Sequence, residues 1–448
     1  MNSIKVDFLK ECGNMKPMHA VNNGPSGSKV RMAMNNYSDF TDAGIPYART
    51  HDASFSANYG GEHTVDVHRI FKNFDADEND PASYKFESTD NYLKDIESVG
   101  TKVFYRLGAS IEHGQKEGTY PPKDFNKWAR VCEHIISHYT EGWANGFYMD
   151  IEYWEIWNEP DCSNPDGSNP CWQGTYDEFL DMFVIVFRHL KTRFPQLKIG
   201  GPAFCTSWRD DYNKKLFDRL EKENLILDFY SFHGYRNEPY GYGEDITHAY
   251  ELLKKYGCED KTELILNEWN YLRGWTGDDY TYTMEQMRKL KGASFVLGTM
   301  CTGQKSPLSM LMYYDARMCA FCGLFEAYML TRKKPYYSLY MFNKLYKLET
   351  EYLTESDSRD LYCLAAKKEN KAAILMTNFS DRNELDSKNV KIDITGFTGD
   401  GGVKAEYYLL DEKKDLEKVR EEIFNGSTFS PILKLEPYAS YLIKLEKL

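Results

Sequence analysis

The amino-acid sequence predicts an α/β protein, a closed (β/α)8 TIM barrel that carries an accessory antiparallel β-sandwich. Two patterns predict it. From about residue 15 to 349, short apolar or β-branched runs alternate with amphipathic stretches, as in repeated strand–helix units around a parallel sheet. Beyond residue 349 the period changes to two, with turn residues between short alternating runs, as in an antiparallel sandwich. With 448 residues, 42% of them hydrophobic, the chain can bury a large core and is long enough for one big domain and a smaller one.

Taken in order, "SIKVDF" at 3 to 8 is strand-like and precedes the barrel, so residues 1–14 are expected to join the sandwich. Residues 15–349 hold eight candidate strands: "KPMHAV" at 16, "IPYART" at 45, "KVFYRLG" at 102, "EYWEIWN" at 152, "LKIGGP" at 197, "LDFYSFH" at 227, "ELILNEW" at 263 and "MLMYYD" at 310. Between them lie helical patterns such as "TYDEFLDMFVIVFRHLKTRF" at 175 to 194, with apolar residues three and four apart. "KPYYSLYMFNKLYKLE" at 334 to 349 reads as the last barrel helix. Residues 350–448 supply the sandwich strands "DLYCLAAKK", "KAAILMTNF", "NVKIDITGF", "VKAEYYLLD" and "ASYLIKLEK".

Composition narrows the function. The 55 basic and 68 acidic residues give a net charge of −13, which repels nucleic acid and anionic membranes and suits a neutral ligand. The amino terminus lacks the apolar core of a signal peptide and no long apolar run follows, so a cytoplasmic protein without a membrane partner is expected. Ten cysteines are scattered, and the close pair Cys319 and Cys322 has no second pair at metal-site spacing. No metal and no cofactor are expected. Cys162 and Cys171 flank a Gly/Asn/Pro-rich loop and would stay reduced in the cytosol.

The chemistry centres on "EYWEIWNEPD" at 152 to 161, where two carboxylates sit in an aromatic stretch and an unpartnered buried charge is costly. In a strand, Glu155 points to one face, with an interior ion pair to Arg or His as its simplest role. Glu159 lies just past the strand end, where Pro160 forces an exit. "ELILNEWNY" repeats the pattern, with Glu268 at the end of a buried run. Catalytic groups of such barrels stand at the carboxyl ends of strands, so glutamates from the fourth and seventh strands face each other across the mouth. Glycoside hydrolysis needs such a pair, one carboxyl protonating the leaving oxygen and the other attacking the sugar.

"WNEP" at 157, "NEWN" at 267, "YARTHD" at 47, "FDADENDPASY" at 74 and "SFHGY" at 231 resemble clan A glycoside hydrolases, most closely family 39, which holds β-xylosidases and α-L-iduronidases. The likeness runs through the barrel and the sandwich. It implies a retaining enzyme with Glu159 as acid/base, Glu268 as nucleophile and Asn158 binding the sugar 2-hydroxyl. The eighth strand departs from the clan pattern, reading "MYYDAR" where a Trp-containing segment is usual.

Around this pair, Arg49 at the end of the second strand is expected to hold Glu268 ionised, with a structural ion pair as the alternative. His51 is a candidate for a sugar hydroxyl, His233 and Tyr235 end the sixth strand beside the nucleophile, and His19, Asn22 and Asn23 are candidates to clamp a non-reducing sugar. Sugars stack on aromatic rings, and Trp269 and Tyr314 are the aromatics expected to line the pocket.

The expected partner is thus an oligosaccharide or glycoside, with a homo-oligomer left open. β-D-xylosidase action is favoured over α-L-arabinosidase or uronidase action. The loops at 51 to 84 and 160 to 179 are long enough to wall off a groove and give exo action on short substrates. Two other classes compete: a barrel that binds carbohydrate without cleaving it, which requires loss of one glutamate, and a metal-dependent hydrolase, for which His51, Asp52 and His233 supply too few ligands.

Overall fold

The computed structural model describes residues 1–27, 34–51, 64–112, 115–382 and 384–448. After an amino-terminal strand β1 (Asn2–Asn14), eight parallel strands close a barrel: β2 (Ala20–Asn22), β3 (Tyr47–Thr50), β4 (Lys102–Leu107), β5 (Tyr153–Ile156), β6 (Lys198–Phe204), β7 (Phe229–Arg236), β8 (Glu263–Tyr271) and β9 (Met310–Tyr313). Each falls on one of the eight expected segments. The barrel is filled in layers. Ala20, Phe104, Tyr153, Phe229, Ile265, Met310 and Met312 form a mostly apolar plug inside it. The alternate residues, such as Trp154 and Ile156 on β5 or Leu264 and Leu266 on β8, face outward into the main core with the helices.

Above the plug lies a charged layer. Arg49 from β3 donates its Nε to Glu155 from β5 at 2.7 Å, and both side chains are fully buried. Ser231 Oγ donates to the other Glu155 oxygen at 2.6 Å, with Asn267 Nδ2 at 2.5 Å, so the buried carboxylate keeps its hydrogen bonds. The interior ion pair read from "EYWEIWN" is therefore the role of Glu155.

The remaining strands are β10 (Thr350–Ser356), β11 (Leu361–Lys368), β12 (Lys371–Asn378), β13 (Lys388–Thr395), β14 (Val403–Leu410), β15 (Asp415–Phe424), β16 (Thr428–Phe429), β17 (Ile432–Leu435) and β18 (Ser440–Lys447). They form one mostly antiparallel ten-stranded sheet with β1, which pairs antiparallel with β10 and parallel with β13. The expected sandwich is thus a single continuous sheet. It encloses its own core, with Ile4, Ile374, Ile392, Tyr407 and Ile443 in one buried cluster, while Leu364, Leu375 and Leu442 on the opposite face join the core of the barrel. Asp381 fastens the two units, accepting from Asn237 Nδ2 at 2.8 Å and Arg273 Nε at 3.0 Å and pairing with Lys291 Nζ at 2.7 Å.

Candidate active site

Directly after β5 the backbone turns sharply. Trp157 and Glu159 both take left-handed φ, 74° and 47°, a conformation that costs a non-glycine residue about 1–3 kcal/mol. Neighbouring segments hold them there. Trp157 N donates to Leu107 O at 2.7 Å and its indole Nε1 to Cys171 O at 2.9 Å, while Glu159 N donates to Ala203 O at 2.9 Å. The turn aims Asn158 at Arg49, whose Nη2 donates to its Oδ1 at 2.7 Å, and sends Glu159 over the barrel mouth.

On β8 a bulge does the equivalent work. Leu266 pairs with Phe232 but Glu268 with His233, which leaves Asn267 as an extra residue. Asn267 and Glu268 consequently both reach inward groups, Asn267 contacting Glu155 and Glu268 contacting Tyr235.

One oxygen each of Glu159 and Glu268, with a ring nitrogen of His233, lie within 4.8 Å of one another. His233 Nδ1 is 2.8 Å from Glu159 Oε1 and 3.5 Å from Glu268 Oε2. Burial pulls the imidazole down to about 4, against the pull of Glu268, so at neutral pH the ring is uncharged. Glu268 receives the Tyr235 hydroxyl on Oε1 at 2.6 Å, and its Oε2 stands 3.6 Å from both Arg49 Nη1 and His51 Nε2. Burial pushes its carboxyl up to about 7, and Glu159 adds to the rise, while His233, Arg49 and the Tyr235 hydrogen bond oppose it.

Of the residues expected at the site, Glu159, Glu268, Asn158, Arg49, His51, His233 and Tyr235 meet in one cluster. Tyr314 joins its edge, 7% exposed, with its ring 5.9 Å from His51 and 6.1 Å from Phe321. Two expectations are corrected. His19 precedes β2, at the barrel end opposite the glutamates, with its Nε2 3.1 Å from Gly44 O and its ring packed on Phe342 and Tyr346. Trp269 follows Glu268 and so points the other way, 1% exposed, among Tyr242, Phe295 and Tyr313 in the outer core. Asn22 and Asn23 lie beneath the mouth: Asn22 accepts from Arg49 Nη1 at 3.0 Å and Asn23 donates to Asp315 at 2.9 Å. Asp52 and the rest of 52–63 lie outside the described residues.

Three features are not placed at the site by sequence reasoning, which ranks Trp275 among the loop aromatics below Trp269 and Tyr314. Trp275, 59% exposed, stands edge-on to Tyr235 with ring centroids 5.1 Å apart, and Phe321 lies 5.8 Å from the same ring. Asp161 sits below the Glu159 turn, accepting from Cys205 N at 3.0 Å and pairing with Arg209 Nε at 3.2 Å. Burial pushes its carboxyl up to about 7. Cys162, Cys171 and Cys205 gather beside Glu159 although 9 and 34 residues separate them along the chain, a spacing with no metal or redox signature. Among the described residues two groups could hold a cation, Glu159–His233–Glu268 and Glu159–Cys162–Cys205, each with donor atoms within 4.8 Å.

Two acids a few ångströms apart at a barrel mouth, one beside a neutral histidine and one ringed by donors, can divide proton transfer and nucleophilic attack between them. A family model, "Glycosyl hydrolases family 39", matches residues 37–264. A β-xylosidase from Geobacillus stearothermophilus is 24% identical over 206 residues, 43% of this chain, and the match spans only 39% of that protein's length. Among solved structures, a glucosidase from Croceicoccus marinus aligns over 100% of this chain and 99% of its own, with TM-score 0.81 and 19% identity. A monomeric β-xylosidase from Caulobacter crescentus aligns over the whole of both chains, with TM-score 0.70 and 15% identity.

Proposed function

The chain belongs to glycosyl hydrolases family 39, and from that premise we propose that it is a retaining, exo-acting glycosidase on short oligosaccharides, β-D-xylosidase-like in its sugar preference. The observation that carries the reading is that one oxygen of Glu159 and one of Glu268 lie within 4.8 Å of each other, which favours the closer of two carboxyl spacings. Retaining enzymes hold their carboxyl groups about 5–5.5 Å apart and inverting ones about 6.5–9.5 Å, because only the latter must fit a water between carboxylate and sugar. The barrel, residues 15–349, is the catalytic unit, and residues 1–14 and 350–448 make the accessory sheet.

Glu159, beside His233, protonates the leaving oxygen and then, as a base, takes a proton from water. Its histidine partner serves both states, since a neutral Nδ1 can donate to the carboxylate or, in the other tautomer, accept from the acid. Glu268 attacks the anomeric carbon, oriented by the Tyr235 hydroxyl and facing the Arg49 charge. Asn158, fixed through its Oδ1 by Arg49, keeps its Nδ2 for the sugar 2-hydroxyl, a contact that strengthens in the oxocarbenium-like transition state.

Exo action is supported by the 160–175 loop, which folds back on the strand end. Asn169 Nδ2 donates to Pro160 O at 2.9 Å, and Trp172 packs on Trp157 with centroids 5.0 Å apart. A cytoplasmic location fits the ten cysteines, none of which is joined in a disulfide. No helix among the described residues is long and apolar enough to cross a membrane.

The test is a pair of variants assayed on an aryl xyloside. Glu159→Gln should keep part of its attack on a substrate with a good leaving group and be rescued by azide with retained configuration, whereas Glu268→Gln should lose all activity. Equal residual activity of the two variants would overturn the assignment.

A further inference from the structure

The three thiols beside Glu159 have no part in the glycosidase reading. They come from separate pieces of chain. Cys162 follows the β5 turn, its N–H donating to Glu159 O at 3.0 Å. Cys171 closes the 160–175 loop, held by Asn169 Oδ1 on its N–H at 2.8 Å, with its Sγ 3.9 Å from Glu159 Oε2. Cys205 follows β6, and its N–H is pinned by the fully buried carboxylate of Asp161 at 3.0 Å. A Glu159 oxygen and the Cys162 and Cys205 sulfurs all lie within 4.8 Å of one another.

We propose that Cys162, Cys205 and Glu159, with Cys171 as the fourth ligand, form an inhibitory site for a thiophilic divalent cation such as Zn2+. Thiolates select soft or borderline d10 ions, and a site of sulfurs plus one carboxylate offers nothing to Mg2+ or Ca2+, which demand oxygen shells. Tetrahedral bonds of about 2.0–2.3 Å set ligand atoms about 3.3–3.8 Å apart, so small rotations suffice for Glu159, Cys162 and Cys205, whose donor atoms already lie within 4.8 Å of one another, and Cys171, its Sγ 3.9 Å from Glu159 Oε2, turns in to complete the shell. The backbone around the ligands is anchored, with Asp161 accepting the Cys205 N–H and Asn169 accepting the Cys171 N–H. Binding replaces the thiol protons of the cysteines by the metal and releases them to solvent. It also takes the Glu159 oxygen that faces the thiols, which leaves that carboxyl unable to give a proton to a leaving group.

The metal site itself does not depend on the glycosidase assignment, whereas its inhibitory effect does. The test titrates the full chain with Zn2+ for activity and with Co2+ for absorbance. The expected result is inhibition that a chelator reverses, together with an intense near-ultraviolet thiolate-to-cobalt charge-transfer band. Cys162→Ser and Cys205→Ser, singly and together, should keep basal activity and lose the band, and should need at least tenfold more Zn2+ for the same inhibition. Absence of the band in the unaltered protein overturns the proposal, and so does Zn2+ inhibition unchanged in the variants, which would move the ion to Glu159, His233 and Glu268. A band without inhibition would support the site and count instead against Glu159 as the acid/base.

Discussion

Arg49 gives its Nε to Glu155 at 2.7 Å and holds Nη1 3.6 Å from Glu268, so one buried guanidinium serves the charged barrel layer and the proposed nucleophile together. Its closest charge partner is Glu155. The charge that Glu268 feels is therefore what remains of Arg49 after Glu155 has been compensated.

From this, Glu155→Gln should have two effects. It leaves Arg49 buried without its partner, a loss of about 3–5 kcal/mol in unfolding free energy as read by chemical denaturation. It also frees the guanidinium to favour ionised Glu268, so the acidic limb of the kcat/KM profile should move to lower pH. A limb that stays in place would separate the two carboxylates electrostatically.

Tyr235→Phe should act in the opposite direction. The phenol donates to Glu268 at 2.6 Å and favours its ionised form, and burial has already pushed that carboxyl up to about 7. Activity that needs ionised Glu268 rises with pH through this value, and without the hydroxyl the rise should come at still higher pH. The profile of kcat/KM between pH 5 and 9 measures the displacement, and a shift toward lower pH would contradict the hydrogen bond's role.

The eight barrel strands and the strand-end positions of Glu159, Glu268, Arg49, His51, His233 and Tyr235 are legible in the sequence because strand period and carboxyl-end position follow from local pattern, whereas Asn158 enters through the family resemblance. Long-range packing is not. His19 reads as a strand-end polar residue only if its strand starts at 16, yet β2 spans Ala20–Asn22, which puts His19 at the amino end. The extra residue Asn267 is invisible to a simple alternation count, and it sets which face Glu268 and Trp269 take. β15, "DLEKVREEIF", carries the charges of a sheet-edge strand and so lacks the apolar alternation by which its neighbours are recognised.

Glu268→Gln should stabilise the protein at neutral pH while abolishing activity. With a folded pKa raised from the usual 4.5 to about 7, the carboxyl's contribution is fully favourable below 4.5 and is lost as pH rises through 7. A neutral amide escapes that loss. The gain at pH 8 should be on the order of 1–3 kcal/mol and should shrink toward pH 5, as thermal unfolding at the two values would measure. Equal gain at both values would mean that packing, and not ionisation, separates the two side chains.

The last prediction separates the two tryptophans that sequence and structure put forward as sugar platforms. Trp275 is 59% exposed and stands against Tyr235, which itself touches Glu268, whereas Trp269 is 1% exposed and packs on the far side of its strand. An indole can stack a sugar only where water reaches its face, so Trp275→Ala should raise KM about tenfold, some 1.4 kcal/mol of lost binding, with little change in thermal stability. Trp269→Ala should empty a packed site and cost about 3–5 kcal/mol of stability. The milder Trp269→Phe keeps most of that volume, and its KM should match that of the unaltered protein. If Trp269→Phe weakens substrate binding while Trp275→Ala does not, the substrate approaches from the other side of β8 and the pocket wall must be redrawn.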